Sequence, residues 1–342
     1  MTMGKIVGFG DILVRFSPWG YDRFVQSDSF RVNYTGAEAN TLAFLAWNGM
    51  DTDYVTRIPD NMIGDCAVAY LRKFNIGTSS IVRGGDRIGT YYLEKGASQR
   101  PSRLVYDRMH SGICEAKRSD FDWEKIFRNA SWFHFTGITP ALGGELPDIC
   151  LDACRTAREM GITVSCDLNY RKNLWTVEKA QETMSELVKY VDILTGNEED
   201  SEKVLGVKPS GTDVTRGKLD RDAYVEAAGE LSSRFGFKKV LFTLRESISA
   251  NDNNWSGMLY QDGQSWFSRT YPIHIVDRVG GGDSFSAGVI YAGEMGWSNE
   301  RTIEFAVAAS CLKHSIEQDF NLSYVSEVES LAGGDGSGRI VR

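Results

Sequence analysis

The run Asp277-Arg-Val-Gly-Gly-Gly-Asp-Ser-Phe-Ser-Ala-Gly288 concentrates residue types that handle negative charge. Gly280, Gly281 and Gly282 can turn tightly and aim their backbone N–H groups at one point, and they lead into a segment with helical spacing, Asp283 to Met295. A helix amino terminus adds partial positive charge there, so the place suits an anion. Asp283 sets a carboxylate beside that anion. Such a pairing makes sense where the carboxylate takes a proton from a hydroxyl as a phosphoryl group arrives, with Asp283 as general base and the glycines as anion hole. The helix terminus is expected to keep Asp283 ionised. The same residues would also form an ordinary turn closed by an Asp N-cap. Neither Gly8-Phe-Gly10 nor Gly280 to Gly282 completes the spacing of a dinucleotide site, and no Walker-type loop is present. A second polar group, Asp167-Leu-Asn-Tyr-Arg-Lys-Asn-Leu-Trp175, follows an apolar strand and so emerges at its carboxyl end, which makes Arg171 a candidate anion clamp.

The elements that must position these groups alternate along the chain. Apolar, β-branched runs at Lys5 to Gly8, Ile162 to Cys166, Val191 to Leu194 and Lys239 to Thr243 are separated by helical patterns. The helical segments are Glu38 to Gly49, Gly64 to Phe74, Leu146 to Gly161, Thr176 to Tyr190, Asp222 to Phe235 and Asn299 to His314. This order predicts an α/β fold in which a largely parallel sheet is covered by helices as a three-layer α/β/α arrangement. Residues 12–35 and 87–108 break the rhythm with alternating aromatic and polar residues, and are expected to form a small antiparallel β-sheet lid. The main domain then comprises 1–11, 36–86 and 109–330, and the Gly-rich end, 331–342, reads as a flexible tail.

The chain has 342 residues and a formal net charge of −8, with no basic run longer than a pair such as Lys238-Lys239. That balance repels phosphate backbones, so no nucleic-acid partner is expected. No apolar run reaches a membrane-spanning length, and the start, MTMGKIVGFG, reads as a first strand instead of a secretory signal. The cysteines at 66, 114, 150, 154, 166 and 311 lack metal-ligand or disulfide-framework spacing and are expected to be reduced core thiols of a cytoplasmic protein.

The chain resembles the ribokinase-like (PfkB) sugar kinases. Their carboxy-terminal signature, D-x-x-G-x-G-D-x-F-x-x-G, is matched by Asp277, Gly280, Gly282, Asp283, Phe285 and Gly288, and their amino-terminal one looks like Gly36-Ala-Glu-Ala-Asn40. The resemblance covers almost the whole chain, lid stretches included. It implies ATP and Mg²⁺ as cofactors, Asp283 as base, Gly280, Gly281 and Gly282 as anion hole, and Gly36 and Asn40 at the sugar. Asn197-Glu-Glu-Asp200 stands where the family has N-x-x-E, a motif that organises magnesium-bound water, so Asp200 would act through water from a side chain one methylene shorter. Thr243-Leu-Arg245 stands where many members have T-x-G, and Asn197, Thr243 and Arg245 would face the nucleotide together with Asn169 and Arg171.

Within that family, D-x-N-x-R-x-x-L-W and a lid Y-x-R recur in 2-keto-3-deoxygluconate kinases, which Asp167 to Trp175 and Tyr106 to Arg108 resemble. Tyr91, Tyr106, Arg108, Arg171 and Asp319 would then bind substrate. A neutral sugar needs no arginine pair, whereas a guanidinium can grip a sugar acid's carboxylate bidentately. Arg171 contacting ATP phosphate, and Arg108 as a solvent-exposed charge, remain open on the sequence. So do other sugars such as fructose or ribose, and a sensor without turnover. Trp19 and Tyr21 on the lid suggest a lid-mediated homodimer.

Overall fold

The computed structural model describes residues 4–209 and 220–339. Among these described residues fourteen strands form in chain order. They are β1 (Lys5–Phe9), β2 (Leu13–Ser17), β3 (Arg31–Thr35), β4 (Thr52–Ile58), β5 (Ile81–Arg83), β6 (Gly89–Glu94), β7 (Arg103–Asp107), β8 (Ala130–Thr136), β9 (Thr163–Asp167), β10 (Ile193–Gly196), β11 (Lys239–Ser247), β12 (Asp252–Gln261), β13 (Gln264–Phe267) and β14 (Tyr271–His274). The helices are α1 (Ala37–Trp47), α2 (Met62–Lys73), α3 (Trp123–Ile126), α4 (Ile138–Ala141), α5 (Leu146–Glu159), α6 (Val177–Leu187), α7 (Glu198–Leu205), α8 (Arg221–Phe235), α9 (Gly281–Glu294), α10 (Asn299–Lys313) and α11 (Val325–Ala332).

The large sheet runs β13-β12-β11-β10-β9-β8-β1-β4-β5, with β14 also paired to β12. From β11 to β5 every pairing is parallel, which explains the near-continuous apolar runs of its strands: they are buried on both faces. Helices cover each face. On one side α5 buries Leu146, Ile149, Cys150, Ala153, Cys154 and Ala157, a stripe of i, i+3 and i+4 positions. On the other, α9 and α10 pack so closely that a Cβ on Gly288 would stand 2.6 Å from the Ala306 Cα. Helix α1 lies against α9 and is buried from Glu38 to Ala46, so its apolar residues surround the whole helix. The antiparallel edge of β12 to β14 was not evident in the sequence, where Asp252-Asn-Asn-Trp-Ser-Gly masks any clear period.

Strands β2, β3, β6 and β7 form a separate four-stranded sheet. Two antiparallel pairs, β2 with β3 and β6 with β7, are joined by the parallel pair β2 and β6. Of the expected core thiols, Cys150, Cys154 and Cys166 are buried, but Cys66 is exposed on α2 because its position faces away from that helix's buried stripe. Helix α11 extends to Ala332 and so takes in the first residues assigned to the tail, of which 340–342 lie outside the described residues. Among the described residues no helix is long and apolar enough to cross a membrane.

Candidate active site

A cavity of about 1080 Å³ opens along the carboxyl ends of β9, β10 and β11 and beneath the small sheet. Every site residue named from the sequence lines it: Gly36, Asn40, Tyr91, Tyr106, Arg108, Asn169, Arg171, Asn197, Asp200, Thr243, Arg245, Gly280, Gly281, Gly282, Asp283 and Asp319.

The floor is the Gly280 loop. Gly280 caps α9 with φ of 86°, a left-handed conformation suited to glycine, and a Cβ there would stand 2.1 Å from the Asp319 carbonyl. A Cβ on Gly281 would meet the His314 ring at 2.5 Å. Gly282 differs: a Cβ would find only Asp167 Oδ2, at 4.0 Å, so no packing demands glycine there and the vacant space belongs to the cavity. Loop carbonyls are engaged from behind. Ser284 Oγ donates to the Gly280 carbonyl and Ser310 Oγ to that of Gly281, each at 2.7 Å. First-turn N–H groups have no intrahelical acceptor; that of Gly281 donates to the Arg278 carbonyl at 3.4 Å, and those of Gly282 and Asp283 are available to an anion. Gly282→Ala should therefore fold normally, with a melting temperature within ~2 °C of the parent, while kcat falls about 100-fold through the blocked anion hole; thermal melts and ADP-release kinetics check both.

Asp283 is held by a relay. Thr35 Oγ1 donates to Asn40 Oδ1 at 2.8 Å, which orients the amide so that Asn40 Nδ2 donates to Asp283 Oδ2 at 2.7 Å. Burial pushes the Asp283 carboxyl up to about 6, against the lowering effect of the Asn40 hydrogen bond and the Arg171 charge. Desolvation thus outweighs the lowering influences and shifts the pKa upward, a direction the helix terminus alone would not give. Such a carboxyl is ionised at neutral pH and more basic than a free aspartate, which suits a proton acceptor. Burial raises Asp167 as well, reinforced by the charges of Asp200 and Asp283, and pushes Asp200 up to about 6.

Arg171 stands over these acids. Its Nη1 donates to the Tyr170 carbonyl at 3.0 Å, and among the described residues no carboxylate lies within ion-pair distance of it. Arg108 is different. It is buried, stacks 4.8 Å over the Tyr106 ring, and forms a 3.2 Å ion pair with Asp11, whose carboxyl burial pushes up to about 6. It is therefore neither an exposed lid charge nor an unpaired cation. Tyr106 stacks on Tyr91 with ring centroids 5.4 Å apart.

Tyr91 and Asp319 are brought together by a network the sequence did not disclose. The Tyr91 hydroxyl donates to Asp319 Oδ1 at 2.6 Å, while Asp319 Oδ2 accepts from Asn33 Nδ2 and Arg15 Nη1, each at 2.8 Å. Arg15 Nη2 also pairs with Asp277 Oδ2 at 2.6 Å. These ion pairs join the small sheet to the start of the glycine loop, and they hold the Asp319 carboxyl below the ordinary range despite its burial.

On the far wall, Asn197 caps α7 by accepting from Asp200 N at 2.9 Å, and Asp200 Oδ1 accepts from Tyr170 N at 2.9 Å. Thr243 Oγ1 donates to the Gly196 carbonyl at 3.4 Å. Asn169 takes a left-handed turn with φ of 40°. The exposed Arg245 has a neighbour the sequence reading passed over, Arg278, whose Nη2 donates to the Ala250 carbonyl at 3.0 Å and whose pKa is lowered by burial and by Arg245. Two like charges held together beside an anion hole suit a polyanion such as a nucleotide triphosphate. No cluster of three metal-binding side chains occurs among the described residues. The oxygen donors present, Asp167 and Asp200, nevertheless fit a hard divalent cation carried largely by phosphate oxygens and water.

Three-layer sheet, small second sheet and glycine loop together define a carbohydrate kinase architecture. The chain belongs to the PfkB family of carbohydrate kinases, whose model matches residues 3–317. It is 55% identical to a solved 2-dehydro-3-deoxygluconokinase from Thermotoga maritima, covering 97% of this chain and 100% of that one with a TM-score of 0.94. It is 33% identical to a PfkB family carbohydrate kinase from Listeria grayi, over 96% of this chain and 99% of that one, with a TM-score of 0.89. Among curated proteins, a 2-dehydro-3-deoxygalactonokinase from Haloferax volcanii is 30% identical over 97% of this chain and 98% of its own length.

Proposed function

We propose that the protein transfers the γ-phosphoryl group of ATP to the 6-hydroxyl of 2-keto-3-deoxy-D-gluconate. The observation that carries the reading is Arg171: a half-buried guanidinium with no carboxylate within ion-pair distance among the described residues, facing the same cavity as Asp283 and the vacant space at Gly282. Its charge acts on Asp167, Asp200 and Asp283 without an ion-pair contact, so its donors stay available for the bidentate contact that a substrate carboxylate offers. Tyr91, Tyr106 and Arg108 supply the sugar's upper contacts, and Asp319 acts through Tyr91. Asp200 would help hold Mg²⁺ through water, and the ion would supply charge neutralisation for the transferring group.

In the reaction Asp283 accepts the proton of the 6-hydroxyl as the oxygen forms its bond to the γ-phosphorus. The bond from that phosphorus to the β,γ-bridging oxygen breaks, and ADP leaves with those electrons. Backbone N–H groups of the Gly280 loop receive the charge on the phosphoryl oxygens. We further propose that residues 12–35 and 87–108 act as a lid that excludes water. Two names among the relatives differ in the epimer of the sugar acid, so the decisive assay measures ADP release from Mg-ATP with 2-keto-3-deoxygluconate, its galactonate epimer, gluconate, fructose and ribose. Turnover of the keto-deoxy acids alone is expected. Turnover of a neutral sugar alone would overturn the carboxylate reading, and binding without turnover would make the protein a sensor.

The outer face of the small sheet also exposes Trp19, Phe30, Val32 and Val105, apolar side chains that suit pairing with a second copy. Light scattering coupled to sizing chromatography should give a dimer, and Val105→Glu together with Val32→Glu should give a monomer; a monomeric parent protein would remove the lid from this role.

A further inference from the structure

Lys313 closes α10 and has no part in the chemistry above, yet its side chain is completely buried directly behind the anion loop. Its Nζ donates to the Ile316 carbonyl at 3.1 Å and to the Asp277 carbonyl at 3.4 Å, and its Cε lies 3.2 Å from where a Cβ on Gly280 would stand. Among the described residues it has no carboxylate within ion-pair distance. The charges around it explain its presence. Asp277 and Asp319 are both fully desolvated and share a single guanidinium, that of Arg15, so the cluster carries one negative charge too many without Lys313. Burial lowers the pKa of the ammonium, while Asp277 and Asp319 oppose that shift. The ammonium also sits at the carboxyl end of α10, where a helix favours a cation.

We propose that Lys313 is a positioning residue for phosphoryl transfer, a tethered internal cation that balances the Asp277 and Asp319 pair and holds the Gly280 loop with its N–H groups aimed into the cavity. Its removal leaves an uncompensated negative charge beneath the point where phosphoryl oxygens collect, and frees the Asp277 carbonyl that begins the loop. The effect falls on kcat and not on sugar affinity, because Lys313 does not line the cavity and acts only through the Gly280 loop. The inference rests on the phosphoryl-transfer reading of the loop, and its test separates the two.

Two variants suffice. Lys313→Gln keeps a donor for the carbonyls and removes the charge; Lys313→Ala leaves room for a small ammonium ion. Both are compared with Asp283→Asn, with thermal melts run in parallel. Lys313→Gln is expected to fold, to lose about 50-fold in kcat, and to keep its sugar-acid KM within about 3-fold. Lys313→Ala is expected to regain turnover saturably when methylammonium replaces sodium, a response that the parent protein lacks. A Gln variant at the parental rate, or an Ala variant indifferent to methylammonium, overturns the proposal while an inert Asp283→Asn leaves the phosphoryl-transfer reading standing. An active Asp283→Asn overturns that reading instead. If neither Lys313 variant folds, its role is stability alone and the assignment falls.

Discussion

Asp283→Asn should lower kcat by about 1000-fold, the range general-base removal reaches, while changing the sugar-acid dissociation constant less than about 10-fold. The amide still fills the site and still accepts from Asn40, but it takes no proton from the 6-hydroxyl. Two further readouts separate a base from a merely structural aspartate. In the parent protein kcat should decline as pH falls through about 6, where the Asp283 carboxyl becomes protonated, and that limb should vanish in the Asn variant. Stability should move the other way. Because the folded-state pKa is raised above the ordinary 3.8, the folded protein holds this proton more tightly than the unfolded chain does. The carboxyl's contribution is therefore fully present below the unfolded value and is lost as pH rises through about 6. At pH 7.5 the Asn variant should melt ~2 °C or more above the parent. An active Asn variant would remove Asp283 as the base; an inert one melting lower would point to lost packing.

Arg171→Ala should reduce kcat/KM for the keto-deoxy acid about 100-fold, the scale expected for a charge-assisted bidentate contact. The carboxamide analogue of the same sugar, which offers no anion, should lose less than about 3-fold. Equal losses would assign Arg171 to the nucleotide, the alternative its position permits. Arg171 also lowers the pKa of Asp283, so its removal should move the acid limb of the pH profile upward whichever anion it binds. That shift serves as an internal control that the substitution has reached the site.

What could be read from the sequence was what local chemistry dictates. Consecutive glycines before an aspartate specify a loop and a helix start wherever they occur, and the floor of the cavity is built as that pattern requires. Buried parallel strands advertise themselves as apolar runs, whereas β12 begins with polar residues whose burial depends on neighbours far along the chain. Arg15 is the clearest case of what stayed hidden. In Leu-Val-Arg-Phe-Ser it reads as the solvent-facing charge of a half-exposed strand, but Asp277 and Asp319, 262 and 304 residues further on, fold against it. The upward shift of the Asp283 pKa was hidden for the same reason: a helix terminus is written in three or four residues, and desolvation in the whole cavity. Asp11, which neutralises Arg108, lies in a loop with no motif of its own; the signal available was an acid immediately after Gly8-Phe-Gly10, at the end of the first strand.

The ion pairs of Arg15 bear on how substrate range can diverge on this scaffold. Because one guanidinium on a strand of the small sheet grips the residue that opens the glycine loop, that sheet is not an interchangeable cassette. A chimera that receives residues 12–35 and 87–108 from a relative without an arginine at this position would inherit new sugar contacts and strand two buried acids. Diversification of specificity is thus constrained to proceed by substitutions that keep Arg15, Asp277 and Asp319 together, or to exchange all three at once.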